Sequence, residues 1–522
     1  MKKALIVALC AAQIIFLAGS QNVKIKVVAP VTKEQAIDLN NDGKDEKIKI
    51  DGNKVSINTS DSKKLLEVST DGTNTSVTYA KDTKLGDTKV IIEKRTRNTA
   101  GELSYSILKY DGNTMKEIAS KQDIYKGKLE AREDGSIVEE KPVYAENDCN
   151  AIPSKVEKTY YKIEADKLLS YSTETVPYTY SSYGTDGQTY TNPSADYINT
   201  LLEKAGKEFG IPSAILKGIA WQESSWRQFD NKTGGPLIGY DGIGIGLMQV
   251  SDYDSKDTSA ANQMYIKRLK YDIEFNISEG CKILMDKWAL QTAGAQWKIP
   301  KIGDGSPLFL EHWYYALWAY NSYSDRNNPA INYSKAYQTL VINHINTRYS
   351  TTMLDLYVSN KDLFPSQGVP RDDIGEISGI HKGDVKAKAP GGKYIALTNV
   401  TLRDDNMSSI GSLNTGDVFE VKGQPRIYNT YIRYPVEANG KSGWVAGNYI
   451  KSIGDVNNDD IVDIYDLTKL SAKLGQTGTT INLDNVADLA GMDLNLDSVV
   501  DLQDLALLAR NYNFKMFTDS IN

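Results

Sequence analysis

Short apolar–polar runs alternate with turns across residues 30–170. Lys47-Ile48-Lys49-Ile50, Val55-Ser56-Ile57 and Lys89-Val90-Ile91-Ile92 are examples, and Asp-Gly and Gly-Asn pairs punctuate the region. A period of two is the side-chain period of a strand, so the pattern predicts a β-rich domain over 30–170. At Ala195 the period changes. Tyr197, Leu201, Leu202, Ala205 and Phe209 recur at helical spacing and stop at Gly210. Ile211-Pro212-Ser213 opens a second helix, with Pro near its first turn. Ile215, Leu216, Ile219 and Ala220 line one face of it. Further helical patterns cover 260–288, 308–321 and 332–348, around a Gly-rich irregular stretch at 230–258. The pattern thus predicts an α-helical domain over 195–350. Strand-like runs return over 391–452 and predict a small β-barrel. Two acidic loops, each followed by an apolar helix, form an internal repeat within 453–515. Residues 171–194, rich in Tyr, Ser, Thr and Gly, read as a linker, as do 366–390 with their Gly, Pro and charges.

Composition adds three constraints. The chain has 522 residues, too many for one compact core, and 40% are hydrophobic and 24% charged, as in folded globular chains. Residues 1–20 read as a secretory signal peptide: Lys2 and Lys3, an apolar run from Ala4 to Leu17, then Ala18-Gly19-Ser20. The protein is therefore expected to be secreted, with no membrane span after cleavage. Net charge is −7, and losing two lysines with the signal makes it −9, which argues against a nucleic-acid partner. Cys10 leaves with the signal, so Cys149 and Cys281 remain, as one bridge or two buried thiols. The scattered His312, His344 and His381 make no zinc site.

The candidate chemistry centres on Glu223. It follows Ile219 by four residues, on the apolar stripe of its helix. A carboxyl beside apolar surface loses hydration, which raises its pKa and lets it hold a proton near neutrality, as a general acid for glycoside cleavage must. Around it stand Trp221-Gln222-Glu223-Ser224-Ser225-Trp226, Gly244-Ile245-Gly246-Leu247-Met248-Gln249-Val250, Asn276-Ile277 with Gly280, and Ala319-Tyr320-Asn321. This series, in this order, resembles the goose-type lysozyme and soluble lytic transglycosylase superfamily. The resemblance implies an α-helical, lysozyme-like (α+β) catalytic domain over 195–350. Glu223 would protonate the glycosidic oxygen. Ser224, Gly246, Leu247, Met248, Gln249, Tyr320 and Asn321 would bind substrate, with Asn321 alternatively a helix-end structural residue. In goose-type lysozymes, Asp residues flanking Gly-Leu-Met-Gln hold a water. Asp241 and Asp252 flank it here, and Asp241 is carried as a second catalytic candidate, although Tyr240-Asp241-Gly242 also reads as a turn.

Metal-ligand spacing recurs in three places. The first C-terminal loop offers Asp455, Asn457, Asp459, Ile461, Asp463 and Asp466, and the second offers Asp493, Asn495, Asp497, Val499, Asp501 and Asp504. These are loop positions 1, 3, 5, 7, 9 and 12 of a calcium loop, with the backbone carbonyl at position 7. The pair resembles a type I dockerin, which implies two structural Ca2+ ions and docking to a cohesin on a scaffold protein, as in clostridial cellulosomes. Asp460 and Ser498 replace the Gly expected at position 6. Asp38, Asn40 and Asp42 ahead of Gly43 match the front of another such loop, similar to the single calcium loops of propeller-type repeats, or else a polar turn. Residues 394–452, with Gly440-Lys441-Ser442-Gly443-Trp444-Val445, resemble a bacterial Src-homology-three-type barrel, a wall-binding module or a spacer with Trp444 in its core.

Together the resemblances imply a secreted enzyme without a catalytic cofactor. It would cut the β-1,4 MurNAc–GlcNAc linkage of peptidoglycan as a lytic transglycosylase or muramidase. The competing expectations are a chitin-type glycoside hydrolase on the same fold and a non-catalytic glycan-binding surface protein.

Overall fold

The structure is a computed structural model and describes residues 26–51, 54–69, 73–82, 88–96, 98–146, 148–178, 189–438, 440–457, 459–476, 492–495, 497, 499–519 and 521. The signal segment and Ser498 lie outside them.

The N-terminal region is β-rich. A five-stranded antiparallel sheet runs in the order Lys26–Val31, Thr73–Asp82, Thr88–Thr96, Leu103–Tyr110, Met115–Ile124. A four-stranded meander, Glu34–Ile37 to Lys64–Ser69, packs on it through Ile48, Val55 and Ile57. Alternation is visible in Glu46–Asp51, where Ile48 is buried and Lys47 and Lys49 are exposed. A second four-stranded sheet, Lys128–Ala131 to Lys167–Pro177, shares a small core with the first through Tyr105, Ile107, Ile137 and Tyr161. Its last strand overruns the linker reading, since residues 172–177 pair with 155–160 along the edge. Both faces of that strand are mostly exposed, so no apolar alternation marked it.

The helical region is built on α1 (Ala195–Phe209), α2 (Ser213–Ser224), α3 (Ala260–Tyr271), α4 (Ile273–Ala289), α5 (Tyr314–Asn321), the single turn α6 (Pro329–Asn332) and α7 (Tyr337–Arg348). The periodic stretch 260–288 is two helices because the Asp272 side chain accepts the Phe275 amide and starts a new one. All eight residues of α5 are buried, as an all-round apolar helix must be. Residues 366–390 carry little regular structure but lie against the helices: the buried Glu311 carboxylate accepts the His381 amide at 2.7 Å, and Asp384 accepts the Ser213 amide at 2.7 Å.

Strands from Lys393–Ala396 to Ile450–Ser452 form one antiparallel sheet. Trp444 is half-buried on its surface rather than in the core, with its indole donating to Asp405 and Arg426 stacked 4.0 Å from its ring. The C-terminal helices Ile464–Ser471 and Leu502–Ala509 share one hydrophobic core with this sheet through Val462, Leu470, Leu508 and Phe517. Strand Ala387–Lys388 pairs with Phe517–Thr518, closing that unit.

Candidate active site

Helix α2 carries Glu223 into the interior because its stripe of Ile215, Leu216, Ile219 and Ala220 is wholly buried. The helix ends at Ser225 in the left-handed region. The Ser224 hydroxyl donates to the Ala220 carbonyl and accepts the Arg227 amide, so Ser224 finishes the helix instead of reaching toward a sugar. The last α2 carbonyls are met from outside the helical region. The amides of Asn150 and Ala151 donate to Gln222 and Glu223 at 2.9 and 3.0 Å.

Glu223 itself has 0% exposure. One carboxyl oxygen accepts from Asn150 Nδ2 at 3.2 Å, and the other has no hydrogen bond, with the Tyr337 hydroxyl near but outside hydrogen-bond geometry. Burial pushes its pKa to about 7, opposed by the charge of Lys126. Such a group is still protonated near neutrality, as an acid catalyst must be.

Asp241 is also buried. Its carboxylate lies 3.7 Å from Lys126 Nζ and accepts the amides of Ile243 and Gly244. Burial works to raise its pKa, but the lysine charge and those amides outweigh it and hold Asp241 below the usual value. Both side chains are 1% exposed. Asp252 is exposed and lines a small cavity with Thr99 and Tyr320.

The Gly244–Val250 stretch turns back on itself: the Val250 amide donates to Ile245 and the Ile245 amide to Val250, each at 3.0 Å. Gly246 has φ +72°, and a Cβ there would stand 2.5 Å from Asn276 Nδ2 and 2.6 Å from Gln228 Oε1. Only glycine fits that close approach. Asn276 accepts the Met248 amide and donates to the Ile245 carbonyl, which explains the Asn in the motif. Leu247 and Met248 are core residues. Gln249 sits at φ +50°, donates to the Gly246 carbonyl, and leaves its buried Oε1 without a partner. From α5, the Tyr320 hydroxyl donates to the Met248 carbonyl at 3.0 Å. Asn321 accepts from Arg326 and Asn327, so it holds the helix end together. The four motif fragments thus meet around one buried acid.

Residues 200–343 match the family described as Transglycosylase SLT domain. In the same comparisons no curated protein and no solved structure matches the chain. The match supports a lytic-transglycosylase-like, glycosidase-type activity on peptidoglycan for this domain. It begins after the β-rich region, yet that region places Asn150 against Glu223 and Lys126 against Asp241. Sequence reading missed both, because each stands in an ordinary turn far from the motifs.

The three acidic loops share one hydrogen-bond pattern. The amide of Asp42 donates to Asp38 and Asn40, that of Asp459 to Asp455 and Asn457, and that of Asp497 to Asp493 and Asn495, all within 3.0–3.3 Å. Asp463 and Asp501 cap the following helices. Buried Asp466 and Asp504 each accept three backbone amides. The amides of Ile461 and Val499 donate to Asp459 and Asp497. The side-chain oxygens at the front of each loop are thus gathered to one side by the loop's own amides. Asp460, read as a departure from glycine, takes φ +69° and pairs with Lys207 of α1 at 2.6 Å, so it ties the loop to the transglycosylase domain. Cys149 and Cys281 are buried free thiols.

Proposed function

We propose that this protein is a secreted lytic transglycosylase that cuts the β-1,4 MurNAc–GlcNAc linkage of peptidoglycan. The observation that carries this reading is a single carboxyl, Glu223, set on the buried stripe of α2 at the meeting point of the motif fragments. Glu223 donates its proton to the glycosidic oxygen, and the C1–O bond breaks toward the leaving sugar. The C6 hydroxyl of the same muramyl residue then bonds to C1, returning its proton to Glu223 and leaving a 1,6-anhydro end. Asp241, held ionised beside Lys126, is the carboxylate that would activate a water if the enzyme hydrolysed instead. Mass spectrometry of digested peptidoglycan is the test. Anhydro-muramyl ends are expected, and reducing ends alone would replace this reading by hydrolysis.

The C-terminal pair of loops and helices is proposed to dock to a cohesin in a calcium-dependent way, with Asp455, Asn457, Asp459, Asp463 and Asp466, and their counterparts in the second loop, holding the ions. Support comes from the helix starts: Ile464, Tyr465 and Leu502 are 52%, 69% and 72% exposed, an unusual display of large apolar side chains. Tyr465 offers more area than Gln503 at the equivalent place, so Tyr465→Ala is expected to weaken the complex more than Gln503→Ala. Calorimetric titration of the full chain with a cohesin from the same source, with and without EDTA, checks this. Equal losses would remove the asymmetry, and no calcium-dependent binding would remove the docking role.

A further inference from the structure

Three turns of the β-rich region are seated in the transglycosylase site. In the first, Thr99, Ala100, Gly101 and Glu102 are all buried. The Thr99 hydroxyl donates to the Tyr320 carbonyl and accepts from Asn321 Nδ2, both at 3.1 Å. Ser322 Oγ donates to Glu102 at 3.2 Å. Gly101 lies so close to Asp241 that a Cβ on it would fall 2.5 Å from the carboxylate. The second turn carries Lys126, whose amide donates to the Ala100 carbonyl and whose ammonium faces Asp241 with no hydrogen bond of its own. The third brings Asn150 onto Gln222 and Glu223.

The consequence is steric. Glu223, Met248, Gln249, Tyr320 and Asn321 are all 0% exposed. A glycan strand is a polymer, and an acid acting within it needs a groove open at both ends. No such strand reaches Glu223 while these turns are in place.

The nature of the junction says that they can leave. The β-rich region keeps its apolar residues in its own two cores, and the helices keep theirs in another. The apolar cluster shared across this junction is small: Cys149, Ala151 and Leu237, with Ile152 beside them. The rest is hydrogen bonds, the Lys126–Asp241 and Arg326–Glu102 ion pairs, and ring contacts of Tyr178 and Lys128 with Tyr240 and of Arg326 with Tyr125, a make-up dominated by polar groups, as in interfaces that open.

Resting on the transglycosylase reading, we propose that the N-terminal β-rich region is a built-in inhibitor that occupies the glycan groove, with Lys126 as its cationic key, and that catalysis requires its displacement. The chain is then a latent enzyme. Binding of substrate and docking of the three turns exclude each other, so any event that loosens the turns raises both affinity and turnover.

The test uses the full chain in three forms: wild type, Lys126→Met, which keeps the bulk and removes the charge opposite Asp241, and Ala100→Glu with Gly101→Glu, which crowds the first turn out. Titration with the N-acetylglucosamine hexamer reads access, and muropeptide release reads catalysis. Both variants are expected to bind the hexamer about tenfold more tightly than wild type or better, and to release muropeptides correspondingly faster. If instead wild type binds as tightly as the variants, or the folded Lys126→Met variant loses binding and turnover together, the β-rich region completes the site and the proposal is overturned. Variants that bind tightly but cut nothing uphold the closure and remove the transglycosylase reading. Hydrogen exchange on wild type guards against misfolding of the variants. Saturating hexamer is expected to expose the Asn150 and Ala151 amides, and their continued protection with hexamer bound overturns the proposal.

Discussion

Glu223→Gln is expected to lower strand cleavage by about 10²–10⁴-fold, the range that a positioned general acid supplies. The side chain keeps its shape and can still present a carbonyl oxygen to Asn150 Nδ2, so the fold is expected to persist. The same substitution has a thermodynamic signature independent of substrate. Burial raises the Glu223 pKa from 4.5 to about 7. Between those pH values the folded chain holds a proton that the unfolded chain has released. Stability therefore falls as pH rises through this window and levels off above it. The glutamine variant has no such slope. Near pH 4 the two proteins are expected to unfold alike, and at pH 8 the variant is expected to be more stable by about 3 kcal/mol, the worth of this shift. Muropeptide release and denaturant unfolding at the two pH values check both halves. Retained cleavage removes Glu223 as the acid, and parallel pH profiles show that it is not buried as a proton-holding group.

The acid was legible because it obeys local rules. Ile215 and Ile219 fix the buried face of α2, and Glu223 is the next residue on it. The Asn276 and Gly246 motif residues were legible as motif but not as mechanism, since their role is a close packing that only coordinates reveal. What could not be read was whatever depends on docking between regions. Thr99, Lys126 and Asn150 stand in turns whose sequences are unremarkable for turns, and only the tertiary arrangement brings them to Glu223 and Tyr320. Asp460 shows the same limit in reverse. As a loop residue it departs from a calcium pattern, and as a partner of Lys207 it has a structural role. Strand Lys167–Pro177 escaped because pairing alone, with no buried face, defines it.

The junction on the other side of the helices contains a buried ion pair, and breaking it is expected to have the largest effect on stability. Glu208 near the end of α1 accepts from Lys388 Nζ at 2.7 Å, from the Ser452 amide at 3.2 Å and from the Ser452 hydroxyl. Lys388 also donates to the Glu208 carbonyl at 2.8 Å, and its side chain is 1% exposed. Burial alone would neutralise both partners. It does pull the Lys388 ammonium down, whereas in Glu208 the lysine charge and these donors outweigh burial and hold the carboxyl below its usual value. The short contact and the Ser452 donors decide for the ionised pair. One carboxylate thus joins α1 to strand Ile450–Ser452 and, through Ala387–Lys388 and its partner Phe517–Thr518, to the C-terminal module. Lys388→Met leaves a buried carboxylate without its cation and is expected to cost about 3–5 kcal/mol. Glu208→Leu with Lys388→Met removes both charges and is expected to restore much of that loss, a coupling read from the double-mutant cycle in denaturant unfolding of the full chain. The sign of the pH effect follows from Glu208. Its depressed pKa means that the stabilisation is present above the ordinary carboxylate range and is lost as pH falls through the folded value. A Lys388→Met variant that unfolds like wild type at neutral pH would show that the three units are held together by the apolar contacts of α1 and not by this pair.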